Sequence, residues 1–198
     1  SPESLKKHVM ARRRAGIDDF ISEQEIEGVY EEVFKDIDIF QNDINLLKNR
    51  FVSPLSSFAT SFYKYYIVDT LFIDNTPCID LFFTPFNAES MGFNGHMYIT
   101  PDSTHFIKRV KMSTPNDINL NFIRSLNINL HYTPSADGTP LLDKEQLIAE
   151  FEIAGDFSGV YVKREVSYNS YLLDQPDDTN IFDHPESIVE DADSRTKD

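Results

Sequence analysis

The chain has 198 residues, of which 40% are hydrophobic and 13% aromatic, and this apolar content supports one packed core and excludes wholesale disorder. A formal net charge of −15 gives the protein no general reason to approach nucleic acid phosphates. The single cysteine, Cys78, excludes an internal disulfide, and the sequence has no apolar run of about 18 residues that would predict a membrane-spanning helix.

Residues 1–20 form a lead-in that is basic first and acidic afterwards. Its basic residues suggest two alternatives, an anionic-lipid or phosphate patch and a solvated segment that pairs with the acidic surface, and the second is favoured. The chain starts with Ser1-Pro2 and shows no signal peptide, so we expect it to be a piece of something longer.

A helix is predicted over about residues 22–38. Ser22, followed by Glu25 three residues later, fits a capping box. After it, apolar residues recur at helical spacing, and the glutamates around them indicate a solvent face rather than a metal site. We expect the apolar stripe to cover one face of a sheet. The stripe consists of Ile26, Val29, Tyr30, Val33 and Ile37.

From Phe62 onward the sequence predicts about seven strands at hairpin spacing, the first from its density of Tyr and β-branched residues, the second from an apolar run, and several later ones from alternation. No helical crossover separates them, so consecutive hairpins should build an antiparallel meander. The predicted strands are 62–73, 78–84, 93–100, 105–112, 118–133, 147–153 and 160–168.

Residues 118–133 carry the clearest pattern. Every second residue is apolar and the residues between are mostly amides, which predicts a strand with one apolar and one polar face. The alternation weakens at Arg124-Ser125, where we expect a bend.

The predicted fold class is α+β, a curved antiparallel sheet (a half-barrel) of about seven strands with the helix on its concave face. The predicted divisions are the lead-in at 1–20, the helix and half-barrel at 21–173, and an acidic linker or tail at 174–198.

Such a concave interior is either filled by side chains or holds an apolar ligand. With 16 phenylalanines in the chain, filling is the default expectation. If a lipid or acyl chain binds, the concave face supplies the candidate ligand-binding residues. These are Ile26, Tyr30, Val33, Leu120, Phe122, Leu126, Ile128 and Leu130.

No residue pattern predicts catalysis, a metal site or a cofactor. The five histidines lack metal-ligand spacing, and the tail cluster of Asp177, Asp178, Asp183, His184 and Glu186 is what an acidic tail shows by chance. The asparagines at 119, 121, 127 and 129 suggest either glycan binding or a solubilised sheet face, and the second is favoured. A small basic cluster on one predicted strand is explained equally well by ligand binding and by the protection of an edge strand. It consists of Lys108, Arg109 and Lys111.

Several blocks in order resemble the central region of a family of Gram-negative envelope proteins. That family carries an N-terminal carboxypeptidase-regulatory-like domain, a central region of unknown function and a C-terminal part that looks like an outer-membrane β-barrel. The resemblance spans roughly residues 10–172 and implies no catalytic residue. The blocks are RRRAG, YEEVFKDIDIFQNDINLL, FVSPLSSFATSFYKYYIVDT, FTPFN, FNGHMYITPDSTHFIKRV, PNDINLNFIRSL and GVYVKREVSYNSY.

A weaker, architectural similarity links the strand order to the half-barrel of periplasmic lipoprotein carriers. Together these likenesses imply a non-enzymatic periplasmic module, associated with the outer membrane, that binds a partner or an acyl ligand. Its expected partners are neighbouring domains of the same protein and a lipid or lipoprotein, with no nucleic acid. The alternatives are a spacer between a plug-like domain and a barrel and, with low weight, an envelope glycan hydrolase, which would need two carboxylates about 5–10 Å apart.

Overall fold

The computed structural model describes residues 7–9, 32–33, 35–120, 123–152, 159–168, 171 and 188–190, with the backbone alone at 7–9, 152, 159–160 and 188–190. The chain divides into two compact units, one formed by residues 1–26 with 170–198 and the other by residues 27–169. In the first unit, strand β1 (Lys7–Val9) pairs in parallel with β11 (Ile188–Glu190). The predicted divisions at residues 20 and 173 stay predictions.

The second unit contains a seven-stranded antiparallel sheet whose strands pair in sequence order, so the predicted meander is confirmed. The sheet is open, and its edges are the first and the last strand. Successive strands are joined by short connections, as a meander requires. The strands are β4 (Tyr63–Ile73), β5 (Thr76–Pro85), β6 (Asn94–Ile99), β7 (Ile107–Ser113), β8 (Ile123–Pro134), β9 (Pro140–Glu152) and β10 (Gly159–Ser167).

Strand β8 is the part of the predicted 118–133 segment that enters the sheet. Its pairing with β9 shifts register between Ile123 and Ser125, at the place where the sequence predicted a bend. The shift also brings Ile123 onto the buried face, where its side chain is 4% exposed, although strict alternation had assigned it to the polar face. Leu120, just before the strand, is buried as well.

The apolar face of the sheet is covered by the segment that precedes it. Strands β2 (Asp43–Leu46) and β3 (Asn49–Val52) form a hairpin, and the four-residue helix α1 (Ala59–Phe62) leads into β4. The turn of this hairpin, Leu47-Lys48, has φ angles of 50° and 61°. No hairpin could be predicted here because neither turn residue is Gly, Asn or Asp, the types that usually adopt positive φ.

The predicted helix is described only at its C-terminal part, since residues 22–31 and 34 lie outside the described residues. Glu32 and Val33 are helical, whereas residues 35–38 are not, so the predicted end at 38 is wrong. From Ile37 to Ile39 burial alternates as in an extended chain, with both isoleucines buried and Asp38 exposed. This spacing lets both isoleucines enter the core.

The core between the sheet and its cover is filled by side chains. Phe51 of the hairpin packs on Phe93 with ring centroids 4.7 Å apart, and Tyr63 packs edge-on against Phe83 at 5.7 Å. The Tyr63 hydroxyl donates to Val52 O at 2.6 Å and accepts from Phe93 N at 3.1 Å, and burial raises its pKa well above the ordinary value. The contacts of Phe51 and Val52 fix the cover onto the sheet.

A charged pair also lies in this core. Arg164 of β10 and Glu145 of β9 form an ion pair, with the two residues only 4% and 2% exposed. Arg164 Nη1 also donates to Val33 O and Lys35 O, both at 2.7 Å, and so ties the cover to the last strand. Burial lowers the pKa of Arg164 to about 10, which leaves it charged at neutral pH.

Candidate functional site

The face of the sheet opposite the core is polar, and strand pairing arranges its side chains in rows across six strands. The central row begins on β5 and ends on β10, and a neighbouring row runs beside it. The central row is Phe82, His96, Lys111, Asn129, Gln146 and Glu165. The neighbouring row is Asp80, Tyr98, Arg109, His131, Lys144 and Ser167.

Two adjoining depressions on this face, which we call the polar groove, have volumes of about 520 and 370 Å³. They share Asn129 and Gln146, so they form one continuous surface from β5 to β10. The first depression is lined by two cations, four amides and no carboxylate, in a chain whose net charge is −15. Such a lining favours an anionic or hydroxyl-rich ligand.

Arg109 and Lys111 supply the positive charge of the first depression. The Arg109 Nε atom donates to Asn129 Oδ1 at 3.0 Å, which orients the guanidinium and leaves the Asn129 amide NH₂ toward the groove without a partner among the described residues. The Lys111 Nζ atom lies 6.0 Å from the centre of the Tyr98 ring. Strand β7 is central in the sheet, so the edge-protection interpretation of this basic cluster is wrong.

The β5 end of the groove is aromatic. The His96 ring lies 5.2 Å from Phe82 and is stacked on Tyr98 at 6.3 Å. His96 Nδ1 and Asp80 Oδ1 are 2.7 Å apart, so the buried carboxylate fixes the imidazole. Ser113 lines the same depression, and in the described part of the chain no hydrogen bond joins it to His96, so a nucleophile and its base are not paired here.

The β10 end is less strongly basic. Lys144 and His131 line it together with Glu165, which accepts a hydrogen bond from Gln146 Nε2 at 2.6 Å. Burial, with the nearby charge of Arg109, lowers the pKa of His131 below its ordinary value. His131 is therefore neutral at physiological pH and offers both a donor and an acceptor.

The residues predicted for an apolar ligand lie on the other side of the sheet, in the filled core. Five of them are between 0% and 2% exposed, so their side chains are packed in the core. These five are Val33, Leu120, Leu126, Ile128 and Leu130. Ile26, Tyr30 and Phe122 lie outside the described residues, and the acyl-ligand prediction stays untested.

Of the four asparagines considered as glycan-binding residues, only some lie in the polar groove. Asn127 and Asn129 both line the groove, whereas Asn119 is exposed before β8 and Asn121 lies outside the described residues. The metal candidates of the acidic tail also lie outside them. Among the residues that are described, no group of three or more His, Cys, Asp or Glu is arranged for a metal ion, and no helix is long and apolar enough to cross a membrane.

Sequence reasoning did not single out Phe82, Lys144 and Gln146 as groove residues. Each alternates with core residues on its own strand, and this alternation could have assigned it to the face opposite the core. Their meeting depends on the register between strands, however, and a single sequence does not specify that register.

A second exposed surface lies on β4, an edge of the sheet. Four of its large side chains, one of them a tyrosine and three of them aliphatic or phenyl, remain in solvent with exposed fractions of 51% to 74%. An uncovered edge of this kind is a site for association with another strand. The exposed residues are Tyr66, Ile67, Val68 and Phe72.

The model of a family of unknown function, DUF5686, matches residues 1–169, which is most of the chain. The chain belongs to DUF5686. No curated protein and no solved structure matches it. The DUF5686 match covers the whole seven-stranded sheet, and the links to a carboxypeptidase-regulatory-like domain and to the outer membrane stay predictions.

Proposed function

We propose that this DUF5686 domain is a non-catalytic binding module of a larger periplasmic, outer-membrane-associated protein, and that its ligand occupies the polar groove. The observation that carries the proposal is the first depression, whose lining includes Arg109 and Lys111 but no carboxylate. In a chain this acidic, a surface free of acidic side chains needs a reason, and an anionic ligand supplies one.

The arrangement of charges favours binding over catalysis. A glycoside hydrolase needs two carboxylates in one cleft, and the first depression has none in its lining. In the second, Glu145 is paired with Arg164 in the core, which leaves Glu165 alone. The His96–Asp80 pair then serves to hold a hydrogen-bonding ring in place rather than to activate a nucleophile.

The filled core favours the polar face over an acyl ligand. An acyl chain at the predicted residues would have to displace packed side chains such as Leu126 and Leu130, both 0% exposed. Displacing packed groups of this size costs several kcal/mol, about 2–5 for each buried leucine side chain removed from its neighbours. The curved half-barrel with a helical lid remains an expectation of the sequence that this proposal does not require.

The test is a ligand screen of the full chain by amide chemical-shift mapping. The panel contains neutral and acidic oligosaccharides, inorganic phosphate and micelles of a short-chain phospholipid. We expect at least one polar ligand to shift signals of β6, β7 and β8, and the variant Arg109→Gln/Lys111→Gln to lose that response. The control Arg50→Gln/Lys64→Gln removes two exposed cations outside the groove and should respond as the parent does.

Two outcomes would overturn the proposal. In the first, no member of the panel shifts signals of the polar face. In the second, native mass spectrometry of the purified chain reveals a co-purified lipid whose removal shifts signals of the core, which would make the acyl ligand the better assignment.

A further inference from the structure

We infer that the ligand of the polar groove is an acidic saccharide of several units that lies across the strands, an inference that rests on the function proposed above. Three features carry it: the length of the groove, the mixture of amides with cations, and the aromatic rings at one end.

The length of the groove excludes a single small anion as its full occupant. Neighbouring strands are about 4.8 Å apart, so the five intervals between β5 and β10 span about 24 Å. The cations are spread over two of these intervals, about 10 Å, rather than gathered at one point, since Arg109 and Lys111 stand on β7 and Lys144 stands on β9. A chain of several sugar units fits such a distribution.

The amides match the hydroxyl groups of a saccharide. A hydroxyl both donates and accepts, and an amide side chain offers both partners. The Asn127 side chain has no hydrogen-bond partner in the described part of the chain, Asn94 uses its oxygen to accept from Thr84 Oγ1 at 2.7 Å, and Asn129 uses its oxygen for Arg109. The NH₂ groups of these asparagines therefore remain for a ligand.

The cations define the ligand as acidic. The guanidinium of Arg109 is held through Nε, and its terminal nitrogens form the planar fork that binds a carboxylate through two hydrogen bonds. Lys111, two residues along the same strand and on the same face, adds a second charge. A uronic acid unit carries one such carboxylate on each ring.

The aromatic residues give the ring of a sugar a surface to lie on. Phe82 lines the groove beside His96, and the negative face of an aromatic ring attracts the polarised C–H groups of a pyranose. A flexible acidic peptide would use the cations equally well but would not need a flat ring beside a row of amides.

The experiment titrates the full chain with four probes at low salt: tetragalacturonate, its neutral methyl ester, hexaglutamate and inorganic phosphate. We expect tetragalacturonate to bind on the polar face and the ester to bind at least about tenfold more weakly. Arg109→Gln/Lys111→Gln should weaken tetragalacturonate by a further factor of about ten, and Phe82→Leu, which keeps the apolar bulk but removes the ring, by about threefold. Arg50→Gln/Lys64→Gln should change the affinity by less than about twofold.

The outcomes separate this inference from the function on which it rests. If the methyl ester, hexaglutamate or phosphate binds the groove as tightly as tetragalacturonate, the ligand is not an acidic saccharide, although the groove remains a binding site. If none of the four probes shifts polar-face signals at about 5 mM, a concentration that would detect even weak binding, the acidic-saccharide inference fails. The proposed function fails with it if the neutral oligosaccharides and phospholipid micelles of the first panel also leave the polar face unshifted.

Discussion

Removing either member of the buried Arg164–Glu145 pair should destabilise the protein more than removing both. Arg164→Leu leaves Glu145 in the core without a cation and takes the donor away from Val33 O and Lys35 O. We expect a loss of about 5 kcal/mol in the free energy of unfolding, the upper end of values for a broken buried pair. Glu145→Leu should cost about 3 kcal/mol, because the two carbonyls still solvate the guanidinium.

The double variant Glu145→Leu/Arg164→Met removes both charges together. Its remaining loss comes from the two carbonyls without donors, at about 1 kcal/mol each, so we expect about 2 kcal/mol in total. Urea denaturation followed by far-UV circular dichroism measures all three values, since the chain has no tryptophan. The control is Lys163→Leu on the same strand, whose pairing with Glu165 at 3.0 Å is exposed and should contribute less than about 1 kcal/mol.

Two results would refute this reasoning. One is additivity, in which the double variant loses as much as the two single variants together, since independent sites add and coupled sites do not. The other is a single variant no more destabilised than Lys163→Leu, which would mean that water reaches the pair and solvates the remaining charge.

Three further predictions concern the sheet itself. Gly95→Ala should lower the free energy of unfolding by about 3 kcal/mol, because the added Cβ would overlap Lys111 O and lie 2.7 Å from the Phe83 ring. Gly138→Ala has open space around the added Cβ and should lower it by only about 1 kcal/mol. Thermal or urea unfolding measures both losses. Tyr63→Phe removes the hydrogen bond to Val52 O of the cover and the one that Phe93 N donates, and urea unfolding should show a loss of about 1–3 kcal/mol. A loss near zero would mean that water replaces the hydroxyl. The pKa of His131 in the folded protein lies below the ordinary 6.5, so as the pH falls the unfolded chain takes up a proton before the folded one does. The contribution of His131 to the free energy of unfolding is therefore fully present above about pH 6.5 and should be lost below it. His131→Gln should flatten this decline between about pH 7 and 5, as measured by urea midpoints, and an unchanged slope would contradict the assignment.

The seven strands could be predicted because the signal for each lies within its own residues, as an alternation, an apolar run or a density of β-branched and aromatic side chains. The β8 pattern from Leu126 to Tyr132 needs no tertiary information, since alternate burial follows from the period of a strand. The same local logic located the irregularity at Arg124-Ser125, where an inserted residue disturbs the alternation.

What the sequence missed depended on partners that are distant in the chain. The β2–β3 hairpin went unpredicted because its turn residues, Leu47 and Lys48, are held at positive φ by their surroundings rather than by their own preference. The buried Arg164–Glu145 pair left a weaker signal in the sequence. Each of the two residues belongs to the set of alternate residues of its strand that is mostly apolar. Opposite charges in the same phase of neighbouring strands suggest a buried pair, and this criterion would have found them.

The groove lies between these two cases. The residues of each strand that face away from the core could be identified from the alternation in the sequence. The amides of β8 were considered as glycan-binding residues on that basis. Their alignment with Lys111 and Gln146 needed the register of three strands at once. One residue of slippage would turn each of these side chains toward the core.

The meander also has a consequence for how the chain folds. Every strand of the sheet joins its sequence neighbour, so the sheet can grow by adding one hairpin at a time, with small loop-closure entropy at each step. The contacts of Arg164 with Val33 and Lys35 instead close a loop of about 130 residues, a step that is favourable only after β10 has docked. We therefore expect this closure to come last, so that mutations at Arg164 accelerate unfolding and leave the folding rate nearly unchanged.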